Sequence, residues 1–571
     1  MDTTQIEPAA PQAADAMART ASTPRTLTTL AALSSSVLAA CGGGSSASPP
    51  PPPPPPPPAV ITRADASRFL AQASMGATAD QISRVQAVGY AAWIDEQMAM
   101  AADTSRWDWL VAKGYNDIAN KNSEAGFDSC AWRKLLTSPD TLRQRVTFAL
   151  SEIVVAAIDG LVGGGWKAFS AAAYLDLLET HAFGNYRTLL QAISMSAPMG
   201  EYLTFRGNQK YNATTGANPD ENYAREVMQL FSIGLLKLNA DGTPITVGGK
   251  VQETYTQDDI SGLARVFTGW NYDLAGGDTS TPDFKKRPMA MTASKHELGE
   301  KTFLGQTIPA NTDGATSLTL ALDVIFANAN VAPFIGKQLI QRLVCSNPST
   351  AYVSRVSAVF NNDGTGVKGN LAAVIKAILL DDEARNADHA GNANFAKLRE
   401  PILRMTAWAR AFGVNSASDA WVVGNTTDSS TRLGQSPLRS PSVFNFFRPG
   451  YVPPNTSIAS ASLVAPEFQI TNESSVVGYL NFMQKLIGTG VGGTSDVKAD
   501  YSAMLPLADN GQSLLDELNV LLAAGRVADA SIATMKTALD TMPSGTDATR
   551  LNRIYAAILL VMATPEFIVQ K

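Results

Sequence analysis

The sequence predicts a mainly α-helical protein, a large multi-helix globular domain with long irregular loops and few or no strands. The first observation is composition, because 571 residues with 45% hydrophobic and 17% charged side chains can build a large core. The second is periodicity, because amphipathic patterns of helical length follow one another from Asp65 onward, while strand-like alternation is rare. The third is the spacing between these patterns, because short polar breaks with helix-capping residues separate them.

The N-terminal segment is predicted to be an export signal. Residues 26–40 form a run of small and apolar residues that is too short for a membrane span and suits a signal peptide over residues 1–40. The four residues that end at Cys41, LAAC, resemble a bacterial lipobox, so we expect lipid on the Cys41 thiol. The alternative is a free cysteine in a disordered leader. Because residues 1–16 are acidic for a signal sequence, translation from Met17 is favoured.

The residues after Cys41 fit a lipid anchor. Residues 41–62 contain a Gly/Ser stretch and the run Pro49–Pro58. Polyproline of this length predicts a disordered, semi-rigid linker of about 30 Å, at ~3.1 Å per residue. Gly42, rather than aspartate, after the cysteine favours the outer membrane, at its periplasmic or surface face. Residues 63–571 then form the large helical domain, in one piece or as two lobes.

Helix boundaries can be predicted from capping residues. Gly76 separates the first two helices, and Thr78 is expected to cap the second. Three further starts are expected where an acceptor side chain precedes a proline, at Ser138-Pro139, Asn218-Pro219 and Asn347-Pro348. Residues 271–316 and 413–462 are predicted to be long irregular loops, and the last long helix should stop before Pro565.

Charge and motif content exclude several functions. The formal net charge of −6 offers no basic footprint for nucleic acid, so no nucleic-acid partner is expected. No HExxH, GxSxG, Walker or GxGxxG motif is present, so no metal is assigned and any cofactor is unknown. In the domain, Cys130 and Cys345 predict either one disulfide or, as the favoured interpretation, two buried free thiols.

Residues 221–270 hold the most regular charge pattern. At 100° per residue, a helix through ENYAREVMQLFSIG places Glu221, Arg225 and Glu226 on one polar face. Glu226 is the candidate acid or base, and Arg225 a candidate substrate-binding residue. The structural alternative is that Glu221 belongs to a capping box started by Asn218 and forms an i,i+4 ion pair with Arg225.

The second half of this block, DDISGLARVFTGW, carries two further candidates. Asp259 is a candidate catalytic carboxylate, and Arg265 a candidate substrate-binding residue. Thr256 can cap this helix with Asp259 in its first turn, which is the structural alternative. Gly269 is expected to end the segment and to turn Trp270 inward.

Two loops complete the list of candidates. His296, in HELGEKTFLG, is the third candidate catalytic group because a loop imidazole titrates near neutrality, although a solvated surface histidine is the commoner outcome. In SPSVFNFFRPGY, Phe446 and Tyr451 are candidate substrate-binding residues, since aromatic rings on a loop can stack on sugar faces. The same rings can instead fix the loop to the core.

Seven stretches together carry a family resemblance: ENYAREVMQLFSIG, DDISGLARVFTGW, THAFGNYRTLL, HELGEKTFLG, GKQLIQRLVCSNPS, KLREPILRMTAWARAFG and SPSVFNFFRPGY. From about Asp65 to the C-terminus the chain resembles the large bacterial family catalogued as domain of unknown function 1800. The resemblance implies no reaction. Members of that family are often encoded beside exported sulfatase-like proteins, which implies such a protein as a partner.

Two hypotheses of function follow. The first is a lipid-anchored, hydrolase-like enzyme acting on polysaccharide or another envelope polymer, with Glu226, Asp259 and His296 as acid and base groups. The second is a non-catalytic binding or assembly protein that works with the sulfatase-like partner. The first hypothesis requires the three side chains to converge in an open pocket.

Overall fold

The structure, a computed structural model, confirms the mainly α-helical class and describes residues 60–571 except 387–390, 393 and 494. In chain order, the α-helices of these residues are α1 Arg63–Ala73, α2 Ala79–Val88, α3 Tyr90–Ala99, α4 Arg106–Ala112, α5 Phe127–Thr137, α6 Thr141–Ser151, α7 Lys167–Thr180, α8 Tyr186–Met195, α9 Ala197–Tyr202, α10 Asn222–Gln229, α11 Gln257–Ala264, α12 Gly314–Ala327, α13 Val331–Leu343, α14 Thr350–Asn361, α15 Leu371–Leu380, α16 Asp382–Arg385, α17 Pro401–Ala411, α18 Ser457–Ser460, α19 Glu473–Thr489, α20 Gly511–Ala523, α21 Asp529–Asp540, α22 Asp547–Met562 and α23 Pro565–Ile568.

Strands are short and form only two-stranded antiparallel pairs in the described part of the chain. The strands are β1 Thr246–Val247, β2 Lys250–Val251, β3 Trp270–Asn271, β4 Ala290–Met291, β5 Lys301–Phe303, β6 Gln306–Ile308, β7 Lys397–Leu398, β8 Asn415–Ser416, β9 Val497–Lys498 and β10 Val569–Gln570. The pairs are β1–β2, β3–β4, β5–β6, β7–β10 and β8–β9. The β7–β10 pair, in register Val569 with Leu398, returns the C-terminus to the middle of the chain.

Two helices begin where their capping residues predict, and three begin two or three residues later than predicted. Thr78 and Thr256 cap α2 and α11 as predicted. At the three proline-marked sites the prediction is wrong: the first helical residues are Thr141, Asn222 and Thr350 rather than Pro139, Pro219 and Pro348. The residue after the proline supplies the acceptor at two of them. Ser349 Oγ accepts the Tyr352 amide at 3.1 Å, and Asp220 Oδ1 accepts the Asn222 amide at 2.8 Å.

Buried arginines close the C-terminal ends of several helices. Arg553 donates to Leu539 O at the end of α21 at 2.6 Å, and Arg410 donates to Leu135 O near the end of α5 at 2.9 Å. The same kind of contact is made by Arg143 to α3, Arg145 to α13 and Arg399 to α20. A guanidinium offers several N–H donors, so it can satisfy the carbonyls that a helix end leaves unpaired.

Helix α13 is central to the site. It is buried along most of its length and packs against α6, α14 and α15. Residues 60–571 form one compact unit around a continuous apolar core. Among the described residues no single helix is long and apolar enough to cross a bilayer; α12 and α13 together meet that criterion but are bent by 75°.

Three further predictions, about the cysteines, Trp270 and the end of the last long helix, are confirmed. Cys130 and Cys345 are both buried and free, as the favoured interpretation states. Trp270 is buried after Gly269, and α22 ends before Pro565, where the short α23 begins. The predicted signal peptide, the lipidation site Cys41 and the polyproline run lie outside the described residues.

Candidate functional site

A cleft with a volume of about 1300 Å³ is built along α13, and we call it the α13 cleft. Lys337, Gln338, Gln341 and Arg342 of α13 line its floor. The segment 235–244 covers the N-terminal half of this helix, and the loop 443–464 covers its C-terminal end.

Two polar residues fix these covering segments. Asn330, at the start of α13, accepts the Leu238 amide at 2.8 Å and donates to Leu236 O at 2.7 Å. Asn347, just beyond α13, exchanges two hydrogen bonds of 2.9 Å with the backbone of Val464. Each side-chain amide thus satisfies one donor and one acceptor of an irregular segment, which holds the walls of the cleft in place.

The α13 cleft is where three of the stretches singled out in the sequence meet. ENYAREVMQLFSIG contributes Gln229 and Leu230, and SPSVFNFFRPGY contributes residues 443–444 and 448–451. GKQLIQRLVCSNPS contributes the floor and residues 346–348. These stretches are far apart in the chain, so their convergence on one cavity marks it as the candidate functional site.

Glu152 lies at the floor of the cleft and is only 5% exposed. Asn445 donates from Nδ2 to Glu152 Oε1 at 3.0 Å. Asn445 has φ of +63°, a left-handed conformation that asparagine tolerates better than most residues. The nearest cation is Arg342, whose Nη1 lies 3.7 Å from Glu152 Oε2 and whose guanidinium stacks on Phe447 at 4.6 Å.

Glu152 shares a proton with Glu400. Burial and the charge of Glu400 raise the pKa of Glu152 to about 8, and the hydrogen bond between the two carboxyls acts in the same direction. At Glu400 burial opposes ionisation, but the Lys397 ammonium and the hydrogen bond from Glu152 outweigh it and lower its pKa. At neutral pH the proton therefore resides on Glu152, the member of the pair that lines the cleft.

A buried network holds Glu400 in place behind the floor. Lys397 Nζ lies 3.4 Å from Glu400 and 2.7 Å from Glu467, and all three side chains are almost fully buried. Gln435 donates to Glu400 at 2.7 Å. Glu400 is thus part of an internal charge network with Lys397 and Glu467. Arg399 does not join it, because it donates to Leu522 O and stacks on Phe567.

Glu226 lies on α10 and is 7% exposed. Burial raises the pKa of its carboxyl, against the opposing charge of Arg225. Its Oε2 atom is buried and has no hydrogen-bond partner among the described residues. Gln229 and Leu230, one turn further along the same face, line the α13 cleft. Glu226 therefore lies one turn behind the cleft wall.

Asp259 serves the helix start. It accepts the Thr256 amide at 2.7 Å, completing a capping box, and its other oxygen accepts the Leu304 amide at 2.6 Å. These contacts match the structural alternative, in which Thr256 caps the helix and Asp259 lies in its first turn.

His296 is 1% exposed, and the expectation of a solvated surface histidine is wrong. Its Nδ1 lies 2.9 Å from Thr268 O, and burial lowers the pKa of the imidazole, which keeps it neutral. Gly269 and Gly314 allow the loop to pack inward, because a Cβ at Gly314 would lie 3.3 Å from His296 Nδ1 and one at Gly269 3.1 Å from His296 N. Across the described ranges, no hydrogen bond or ion pair joins Glu226, Asp259 and His296.

The four predicted substrate-binding residues separate into two groups. Arg225 pairs with Glu221 at 3.7 Å on the surface of α10. Arg265 lies 3.7 Å from Glu297 and donates to Glu300 O at 2.7 Å. The two loop aromatics instead line cavities that Glu152 also lines. Tyr451 lines the α13 cleft, and Phe446 lines a small cavity behind Glu152.

Sequence reasoning missed Glu152. The available signal is its position in the apolar run FALSEIVVAAI, residues 148–158, because a lone acid among buried side chains must be neutral or paired. Among the residues that the structure describes, no group of three or more His, Cys, Asp and Glu side chains is arranged to hold a metal ion.

The fold and the site define a mainly α-helical protein with a large cleft that has a buried carboxyl group of raised pKa at its floor. The chain belongs to the family described as protein of unknown function (DUF1800), whose model matches residues 68–569, as the resemblance predicts. No curated protein and no solved structure matches the chain.

Proposed function

We propose that the protein is a hydrolase-like enzyme, that the α13 cleft is its active site, and that Glu152 is its proton donor. The observation that carries the proposal is a carboxyl with a pKa raised to about 8, held at the floor of a cleft of about 1300 Å³. A perturbed acid in a large cleft is the usual mark of an active site. The proposed substrate is polysaccharide or another envelope polymer, which Tyr451 contacts at the cleft wall.

Glu152 acts as a general acid in this proposal. It donates its proton to the leaving oxygen of the scissile bond, and a water molecule supplies hydroxide to the other fragment. The remaining water proton then restores Glu152. Glu400 and Asn445 are positioning residues, because they hold the carboxyl and keep its proton in place at neutral pH.

The test compares two carboxyl groups in one assay. We expect hydrolysis of envelope polysaccharides or of their ester groups by the wild type, and a loss of about a hundredfold or more in Glu152→Gln. Glu226→Gln, the matched control, should retain wild-type activity. Full activity in a folded Glu152→Gln protein would contradict the proposal, as would a selective loss in Glu226→Gln.

The proposal includes export and lipid attachment at Cys41, with anchoring in the outer membrane. Its support is the lipobox-like LAAC followed by the proline-rich linker. Labelling with an alkyne fatty acid should mark the wild type and leave Cys41→Ser unmarked. Label retained by Cys41→Ser would exclude this site of attachment.

A second candidate function is a non-catalytic binding or assembly protein that works with an exported sulfatase-like partner. The observation that favours it is the β1–β2 hairpin, where Val247 and Val251 are 64% and 51% exposed. An absence of turnover on all polymers, combined with capture of a sulfatase-like protein that Val247→Asp abolishes, would select this candidate over the enzyme.

A further inference from the structure

Both segments that cover the α13 cleft present apolar side chains to it. The segment 235–244 contributes leucines, and the loop 443–464 contributes valines and an aromatic ring. The side chains that matter most here are Leu235, Leu236, Leu238, Val443, Phe444 and Val464. Leu235 and Phe444 are 55% and 37% exposed. Exposed apolar side chains on both walls of one cleft indicate a ligand with an apolar portion.

The floor between these walls is basic. Lys337 is half-buried, and no other described residue forms an ion pair or a hydrogen bond with its ammonium group. Burial lowers the pKa of Lys337, and Asp241 opposes that shift only through its charge. Arg448, on the second wall, stacks over Phe444 at 4.5 Å. An ammonium group that faces a cleft and makes no ion pair or hydrogen bond with the described residues is free to bind an anion.

Gln338 supplies an independent observation. Its side chain lines the cleft and is 8% exposed, and its Nε2 is buried without an acceptor among the described residues. A buried amide N–H without a partner is costly, so an acceptor is expected in the bound state.

The buried charge network below the floor is positively charged, as the floor itself is. Its basic groups are Arg145, Arg342 and Lys397, and its carboxyl groups besides Glu152 are Glu400 and Glu467. Glu152 holds a proton at neutral pH and adds no charge. The network therefore retains a net positive charge, which favours an anion above it.

We infer that the α13 cleft binds an amphiphile, an acyl chain between its apolar walls with a terminal carboxylate at Lys337 and Gln338. The inference rests on the proposed function in taking this cleft as the active site. The carboxylate is then the product that hydrolysis releases, and the substrate class is an envelope molecule that carries an acyl chain in ester linkage. The carboxylate accepts hydrogen bonds from the Lys337 ammonium and the Gln338 amide, two donors that have no hydrogen-bond partner among the described residues.

The test separates the acyl chain from the charge. Residues 60–571, the compact unit, are titrated calorimetrically without detergent against decanoate, 1-decanol and acetate. Decanoate should bind about tenfold tighter than decanol, which is the contribution of one charge-assisted hydrogen bond, and acetate should bind far more weakly than either.

Three variants place the carboxylate. Lys337→Met should weaken decanoate binding by about tenfold and leave decanol binding unchanged. Lys337→Arg should restore most of the loss, which shows that charge rather than folding is responsible. Lys485→Met, on the exposed surface of α19 and outside the cleft, is the matched control and should change neither affinity.

The outcomes are distinct from those of the proposed function because binding is measured without turnover. Equal binding of decanoate and decanol, no binding of decanoate, or unchanged binding in Lys337→Met would each overturn the inference. Glu152→Gln should still bind decanoate. Full activity in folded Glu152→Gln with decanoate binding intact would overturn the proposed reaction and leave the ligand class standing.

Discussion

The helical block of residues 221–270 and the floor of the α13 cleft both carry dense charge, and they use it differently. In the block, Asp259 caps α11 and the Glu221–Arg225 pair lies on the surface, with both side chains at least one-third exposed. At the floor, the side chains of Glu152 and Arg342 are each only 3% exposed. The Thr256–Asp259 capping box and the Glu221–Arg225 pair each lie within about one helical turn. The floor instead draws the partners of Glu152 from distant parts of the chain, as Arg342 and Asn445 show.

This difference separates charge that builds a helix from charge that can do chemistry. A capping carboxylate is held ionised by backbone amides and has no proton to give. A carboxyl buried beside a second carboxyl retains a proton, as Glu152 does beside Glu400. Regular charge spacing therefore indicates secondary structure, and an isolated acid in an apolar run is the better sign of a site.

Removing the cation of the buried network should produce the largest effect. Lys397→Met leaves Glu400 and Glu467 buried without their ammonium partner, and we expect a loss of about 3–5 kcal/mol in the free energy of unfolding. Urea unfolding followed by tryptophan fluorescence measures it, with Lys485→Met as the surface control. A loss of less than about 1 kcal/mol, the size of an exposed pair, would show that the network is not tightly buried.

The protonated acid should give a smaller, pH-dependent effect, because the lowered pKa of Glu400 offsets part of it. The pKa of Glu152 is raised from 4.5 to about 8 in the folded protein, so the native state holds a proton that the unfolded chain releases. This stabilisation is complete below about pH 4.5 and is lost as pH rises toward about 8. Glu152→Gln has no such proton. As pH rises over this range, the unfolding free energy of the variant should therefore increase relative to that of the wild type.

Urea titrations of both proteins at several pH values across this range check the sign. Parallel stability curves would mean that Glu152 does not hold the proton.

The cap of α11 should contribute less. Asp259→Ala removes the acceptor for the Thr256 and Leu304 amides, and we expect a loss of about 1–2 kcal/mol in unfolding free energy. Hydrolytic activity at a temperature where the variant stays folded should be unchanged. Asp258→Ala, at the exposed neighbouring position, is the control for charge alone. A loss of activity in Asp259→Ala without unfolding would indicate that Asp259 has a catalytic role.

The sequence predicts the helical class and the starts of α2 and α11, because N-terminal caps are local. Thr78, Thr256 and Trp270 behave as the pattern indicates. The proline-marked starts are displaced because the residue after the proline, such as Ser349, is the acceptor. The ends of α21 and α5 could not be predicted in this way, because Arg553 and Arg410 reach carbonyls that become neighbours only after folding.

The candidate site shows the same limit. The family-like stretches could be recognised in the sequence, and Tyr451 lies in the cleft that three of them form. Nothing in local spacing pairs Glu152 with Glu400 or shows that Lys337 and Gln338 line a cleft, because both depend on tertiary packing. His296 illustrates the converse, since a polar loop sequence became buried through close packing at Gly314.

The smallest effect should come from the surface of the block. Arg225→Met removes a 3.7 Å pair with Glu221, and we expect a loss of only about 0.3–0.5 kcal/mol because both groups are exposed. A double-mutant cycle with Glu221→Gln isolates this coupling, and raising the salt concentration should reduce it further. A coupling of several kcal/mol, or a loss of activity in Arg225→Met, would erase the distinction between block and floor, because it would give a surface pair the properties of the buried network.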